Sequence, residues 1–182
     1  MLRYFDSREA VFLELLLEEW ESWLDHLAVD IQAEHDATAD DAGSQARRLA
    51  AVLAETLSSR PVLCDLFAAT SIELETNVSF ATARSFKQRA YGLNDRLVEL
   101  TLRVAPLLTE TAATGFGRAL IITVAGLWPF AHPNDIIAAA ALESGIRLGT
   151  ERFQKDLGDI ATALAIGFAA QCGTEPGPGP WP

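Results

Sequence analysis

From residue 8 to residue 31 the apolar side chains Leu13, Leu16, Leu17, Trp20, Trp23, Leu24, Leu27 and Ile31 recur at steps of three and four. Glu14, Glu18, Glu21 and Asp25 fall between them, so the pattern predicts an amphipathic helix with one apolar stripe. Asp6 or Ser7 is placed to cap its free N–H groups, with Glu9 closing a capping box on Asp6. The polar stretch 36–44, with Gly43, reads as a loop. A second helix follows over 44–58, with Leu49, Val52, Leu53 and Leu57 facing inward. Pro61 suits a first helical turn and opens a third helix through Thr76 that buries Leu63, Leu66, Phe67 and Ile72. Asn77 and Ser79 interrupt the chain and recap it.

The longest predicted helix runs from Phe80 to Ala105, with Phe80, Ala83, Phe86, Ala90, Leu93, Leu97, Leu100 and Val104 on one stripe. Pro106 ends it, because the residue before proline is pushed out of helical geometry. Thr109 caps a fifth helix through Leu127 that contains Gly115, Gly117 and Gly126. Each glycine costs about 1 kcal/mol against alanine, and close approach by another helix is the expected compensation. Pro133 opens a small helix that fades over Gly145 to Gly149. Thr150 caps the last, whose stripe is Phe153, Leu157, Ile160, Leu164 and Phe168. No segment alternates apolar and polar residues between strand boundaries, so the fold class is all-α, of six to seven helices. The tail 173–182 alternates Gly and Pro and reads as disordered.

The chain has 182 residues, enough for one domain with a core of its own. Its net charge of −11 makes it a poor electrostatic partner for nucleic acid or an anionic membrane surface. The charge is concentrated: residues 1–41 hold twelve acids against two bases, and the rest is close to neutral. Cys64 and Cys172 share no metal or redox spacing and read as reduced thiols of a cytoplasmic protein. No secretory signal opens the chain. The greasy run 119–131, interrupted by Thr123, Gly126 and Pro129, is shorter than the roughly 18 residues a membrane span requires.

Catalytic chemistry is thin. No Glu lies three residues before any of His26, His35 or His132, so the paired ligands of di-iron bundles are missing. His26, Asp30 and Glu34 share a helix face, which reads either as a hard-metal site or as a solvated acidic face. Gly115-x-Gly117 follows no strand, so it reads as packing rather than as a phosphate loop. Asp40-Asp41 has no second acidic cluster to share a magnesium ion, and no serine sits on a nucleophile turn. No metal, cofactor or enzymatic activity is expected. Arg84, Lys87, Arg89, Arg96 and Arg103 crowd the long helix. They read either as a nucleic-acid stripe or as surface ion pairs with neighbours such as Asp95 and Glu99.

The opening Leu2-Arg3-Tyr4-Phe5-Asp6-Ser7-Arg8-Glu9-Ala10 resembles the junction of TetR-family transcriptional regulators. There an aromatic pair ends the recognition helix of the helix-turn-helix, and Ser followed by Lys or Arg and Glu starts the connector helix. Arg60-Pro61, Leu74-Glu75-Thr76-Asn77-Val78-Ser79 and Gly126-Leu127-Trp128-Pro129 are similar, in order and spacing, to later signatures of one branch of that family. The likeness covers Arg3 to Phe168.

The resemblance implies a remnant of the recognition helix over 1–7, a ligand-sensing and dimerisation domain over 8–172, and the tail beyond. Its DNA-binding head would precede Leu2, so DNA is an expected partner only where such a head is present. With it, Arg3, Tyr4 and Arg8 would contact phosphates, the alternative role for Tyr4 being packing. The last two long helices would form a four-helix dimer interface through Gly115, Ala119, Phe153, Leu157, Ile160, Leu164 and Phe168. The opposing expectation is a monomer that spends the same stripe on its own core. A lipophilic or aromatic effector would meet Phe86, Asn94, Phe116, Thr123, Trp128 and His132. A standalone helical protein that heterodimerises with full-length relatives is the competing reading, and an all-helical enzyme the third.

Overall fold

A computed structural model describes residues 7–33, 41–74 and 78–171. Seven helices account for nearly all of them: α1 (Arg8–Ala33), α2 (Ala42–Ser58), α3 (Pro61–Leu74), α4 (Phe80–Val104), α5 (Glu110–Ala131), α6 (Asp135–Glu143) and α7 (Thr150–Gln171). There is no strand among the described residues. Arg3, Tyr4, the 1–7 remnant as far as Asp6, His35, Glu34, Cys172, the 173–182 tail and the Ile72 side chain lie outside them, and so does the core of the 74–79 turn.

The capping chemistry is local and legible. The Ser7 hydroxyl accepts the Ala10 N–H at 3.2 Å at the start of α1. Asp41, Ser79, Thr109 and Asn134 do the same for α2, α4, α5 and α6, each accepting from the N–H three residues on. Each cap satisfies one of the donors that a helix start leaves unpaired.

The core forms where the stripes meet. All eight apolar residues of the α1 stripe are buried, as are Leu49, Val52, Leu53 and Leu57 of α2 and Leu63, Leu66 and Phe67 of α3. α4 lies parallel to α1: Arg89 meets Glu14 and, two turns on, Arg96 meets Asp25. α5 inserts against α3, α4 and α7, and α7 packs most extensively on α2. α5 and α7 run antiparallel, for Gly115 faces Phe168 at one end and the Gly149 N–H reaches the Ala131 carbonyl at the other.

Three expectations change. Phe80 is 83% exposed rather than core. The Glu14–Arg89 pair sets the second turn of α1 against the third of α4, so the first turn of α4 lies level with the start of α1 rather than against its buried stripe. Second, α5 does not stop at Leu127 but continues through Pro129 to Ala131. Proline in the last turn removes one helical hydrogen bond, and the burial of Trp128 and Ala131 on either side holds the turn in place. Third, two of the basic residues of α4, Arg89 and Arg96, pair across to Glu14 and Asp25 of α1 rather than with Asp95 or Glu99 on their own helix.

Candidate functional site: the outer face of α5 and α7

α5 is apolar nearly all round, yet its own chain covers only one side. Ala112, Ala113, Phe116, Gly117, Leu120, Val124, Trp128 and Ala131 face inward. The opposite stripe holds Ile122, 72% exposed, then the exposed Gly126 and Phe130. α7 repeats the arrangement: Phe153, Leu157, Ala161 and Ala165 are buried, while Ile160 and Ile166 face out. Isolated exposed apolar residues, such as Ile160 and Ile166, are ordinary, but the outward stripe of α5 is a surface that water solvates poorly.

By composition alone α5 is long and apolar enough to cross a membrane, and the 119–131 run is part of this 22-residue helix. Its packing on three neighbours accounts for the inward half of that character and leaves the outward half unpartnered.

The glycines report how closely the helices approach. A Cβ on Gly115 would lie 2.5 Å from the Phe168 ring, and one on Gly117 would lie 3.3 Å from Asn94 Oδ1 and 3.6 Å from Leu97. The close approach expected from sequence is present at both positions, within one chain. Gly126 has open space around it.

The seven residues expected at the dimer interface therefore divide. Phe153 and Leu157 are fully buried in the protomer, because α7 turns that side toward α2 and α5. Gly115 is occupied by Phe168 of its own chain. Ala119, Leu164 and Phe168 are half-buried, and Ile160 is exposed.

The six expected effector residues do not enclose one cavity. Phe86 and Phe116 are buried core, and Asn94 is half-buried beside Gly117. The Thr123 hydroxyl donates to the Ala119 carbonyl at 2.8 Å. The Trp128 indole N–H donates to Asp65 Oδ1 at 2.6 Å. The same ring stacks on His132, centroids 3.7 Å apart, and meets Phe153 edge-on at 4.8 Å. Trp128 and His132 are thus a true pair; the others are spread along α4 and α5. A crevice of about 10 Å³, bounded by Gln45, Ala46, Leu108 and Ala165, has room for a water at most and touches none of the six.

Two interior groups escaped the sequence reading. Trp20 Nε1, on a ring edge-on to Phe67 at 5.2 Å, and Thr101 Oγ1 are buried without a hydrogen-bond partner. His132 Nδ1 is a third. An unsatisfied buried polar atom costs about 1–3 kcal/mol. The one hint in the sequence was a threonine set inside the stripe Leu97, Leu100, Val104.

Arg8 is exposed at the first residue of α1. The His26 ring meets the Ser22 carbonyl at 2.7 Å, and no cluster of three His, Cys, Asp or Glu fit for a metal occurs among the described residues. Burial, helped by Asp65, pushes the Cys64 thiol up to about 12, so it stays protonated and donates to the Leu57 carbonyl.

A family model described as tetracyclin repressor-like, C-terminal domain, matches residues 17–171. The chain belongs to this family. No curated protein matches it. The all-helical TetR-type domain read from the sequence is the fold found, and the family is generally one of regulators. Because the match begins at residue 17 and the structure at residue 7, the junction motif at 2–10 rests on the resemblance alone.

Proposed function

We propose that this chain is the effector-binding and dimerisation part of a TetR-like, ligand-responsive repressor acting in the cytoplasm. The observation that carries the reading is the outer face of α5 and α7. Ile122, Phe130, Ile160 and Ile166 stand exposed on two antiparallel helices whose inner faces are fully packed. A two-fold copy brings such a stripe against itself and buries both. Ala119, Leu164 and Phe168, half-buried at its margin, join that contact. DNA is a partner through a helix-turn-helix head where one is joined to α1, with Arg8 at the junction.

The effector side rests on the orphaned interior groups. A lipophilic ligand carrying one or two polar atoms would enter between α1, α3, α4 and α5 and satisfy Trp20 Nε1 or Thr101 Oγ1. Phe86, Asn94, Phe116, Thr123 and Trp128 lie on the helices that would part, and His132 caps the end of α5. With so little free volume in this state, ligand entry selects a more open arrangement and shifts a population between two domain shapes.

The test pairs two measurements. Ile122→Glu/Ile166→Glu halves the light-scattering mass of the wild-type dimer and leaves helical circular dichroism intact, since both side chains lie outside the core. A mass unchanged by that double substitution overturns the interface. For the effector, a thermal-shift screen with apolar compounds raises the melting temperature; failure of every compound overturns the sensing role.

A further inference from the structure

Helical periodicity carries three of the described tryptophans inward, Trp20 and Trp23 on α1 and Trp128 on α5, and all three are buried. An indole N–H can donate but never accept, so each buried ring needs an acceptor brought to it by another group. Two of the rings have one. Trp23 Nε1 donates to Thr56 Oγ1 at 3.1 Å, and Trp128 Nε1 to Asp65 Oδ1 at 2.6 Å. Trp20 Nε1 has none, although only 6% of the residue is exposed. Its ring stands edge-on to Phe67 at 5.2 Å, which fixes the plane in which the N–H points.

The interior that surrounds it is poor in polar groups. Among the described residues the buried polar side chains are Gln45, Ser58 and Thr101, and none is charged. Gln45 Oε1 accepts the Leu107 N–H at 3.1 Å, and the Ser58 hydroxyl donates to the Glu55 carbonyl at 2.8 Å, so both are committed. Thr101 Oγ1, unpartnered on α4, is able to donate or accept. The charges along the seam of α1 and α4 are spent on each other, Glu14 with Arg89 and Asp25 with Arg96.

These facts set the chemistry of a guest. An ammonium group would find no buried carboxylate free to meet it, and a carboxylate no buried cation. An unpaired charge in such a place costs far more than a neutral polar group. A pure hydrocarbon carries no charge but leaves the Trp20 donor unsatisfied. An uncharged body with a carbonyl oxygen accepts the N–H and brings nothing that these walls cannot meet.

We infer that the effector is an uncharged lipophile bearing a carbonyl oxygen, and that the Trp20 indole N–H is the group that selects it. This rests on the effector-binding reading above and narrows it to one chemical class. A fixed donor shut away from water rejects the analogue that lacks the acceptor, because the donor is then left unpaired. An apolar pocket discriminates far less well between guests that differ by one methylene.

Four compounds built on one naphthalene body separate the possibilities: acetylnaphthalene, ethylnaphthalene, naphthylethylamine and naphthoic acid, each titrated into the intact protein at neutral pH. The ketone binds at least ~5-fold tighter than the hydrocarbon and at least ~10-fold tighter than the amine or the acid. In nitrogen-edited NMR spectra the Trp20 indole N–H signal moves downfield with the ketone alone. Those of Trp23 and Trp128, already bonded, serve as internal controls and move little. Trp20→Phe, which keeps an aromatic ring beside Phe67, removes the ketone's advantage over the hydrocarbon. Equal affinity for ketone and hydrocarbon, preference for either ion, or an unmoved Trp20 signal in the ketone complex overturns the class and leaves an effector site standing. So does binding of none of the four by a protein that other apolar compounds stabilise. Where no apolar compound stabilises the protein, the sensing role falls as well.

Discussion

The α1–α2–α3 layer and the α5–α6–α7 outer side are built from the same residue types and solve opposite problems. In the first, Trp23, Leu24, Leu57, Leu63 and Cys64 have no exposed surface at all. In the second, Ile122, Phe130, Ile136 and Leu142 are each at least 72% exposed. The first is a finished core; the second leaves large apolar side chains uncovered, which the proposed dimer would bury. Substitutions that are severe in one region should be nearly silent in the other until a partner is present.

The largest expected effect is in the finished core. Trp23→Ala removes a fully buried ring that also donates to Thr56 Oγ1 at 3.1 Å, and should cost about 3–5 kcal/mol in denaturant unfolding. Ile137→Ala on α6 should change the stability of the isolated protomer by less than about 0.5 kcal/mol. Equal costs for the two would erase the distinction between the regions.

Next comes alkaline loss of stability through Cys64. Its folded-state thiol is raised to about 12, so the unfolded chain loses its proton first. Stability is then unaffected well below pH 8 and falls as pH rises through 9, by about 1.5–2 kcal/mol at pH 10. Cys64→Ala, compared with wild type in a Cys172→Ser background, should flatten that fall; an unchanged slope would assign it to other groups.

Glycine substitutions sharpen the picture further. Gly115→Ala drives a Cβ into the Phe168 ring and should cost about 1–3 kcal/mol in thermal unfolding. Gly92→Ala, with open space around it on α4, should gain about 0.5–1 kcal/mol. The smallest effect belongs to surface charge. The Arg89–Glu14 pair is partly sheltered, and Arg89→Met should cost about 0.5–1 kcal/mol, whereas the exposed Lys155–Asp159 pair should yield no measurable shift in Tm.

Helix number, most boundaries and most caps were legible because each depends on residues within one or two turns: Ser79 before Thr82, Thr109 before Ala112, Pro106 after Ala105. The α1 stripe was likewise readable residue by residue. What periodicity does not encode is which body covers a stripe. Phe153 and Leu157 read as interface, yet they are buried within the protomer on the side of α7 that packs on α2 and α5, Phe153 against Trp128. Phe80 read as core because it kept phase with Phe86, although the neighbouring helix begins only at its level. The α6 arm read as a small helix, and nothing local revealed that its own chain leaves it bare. The effector residues share polarity or aromaticity on inward-reading faces, and their scatter follows from α4 and α5 each contributing to several contacts.

Sedimentation equilibrium of the unmodified protein at micromolar concentration tests the central claim most directly. An incomplete core on the outer side predicts a single species of twice the 19.7 kDa chain mass. A species of one chain mass across the whole range would contradict it.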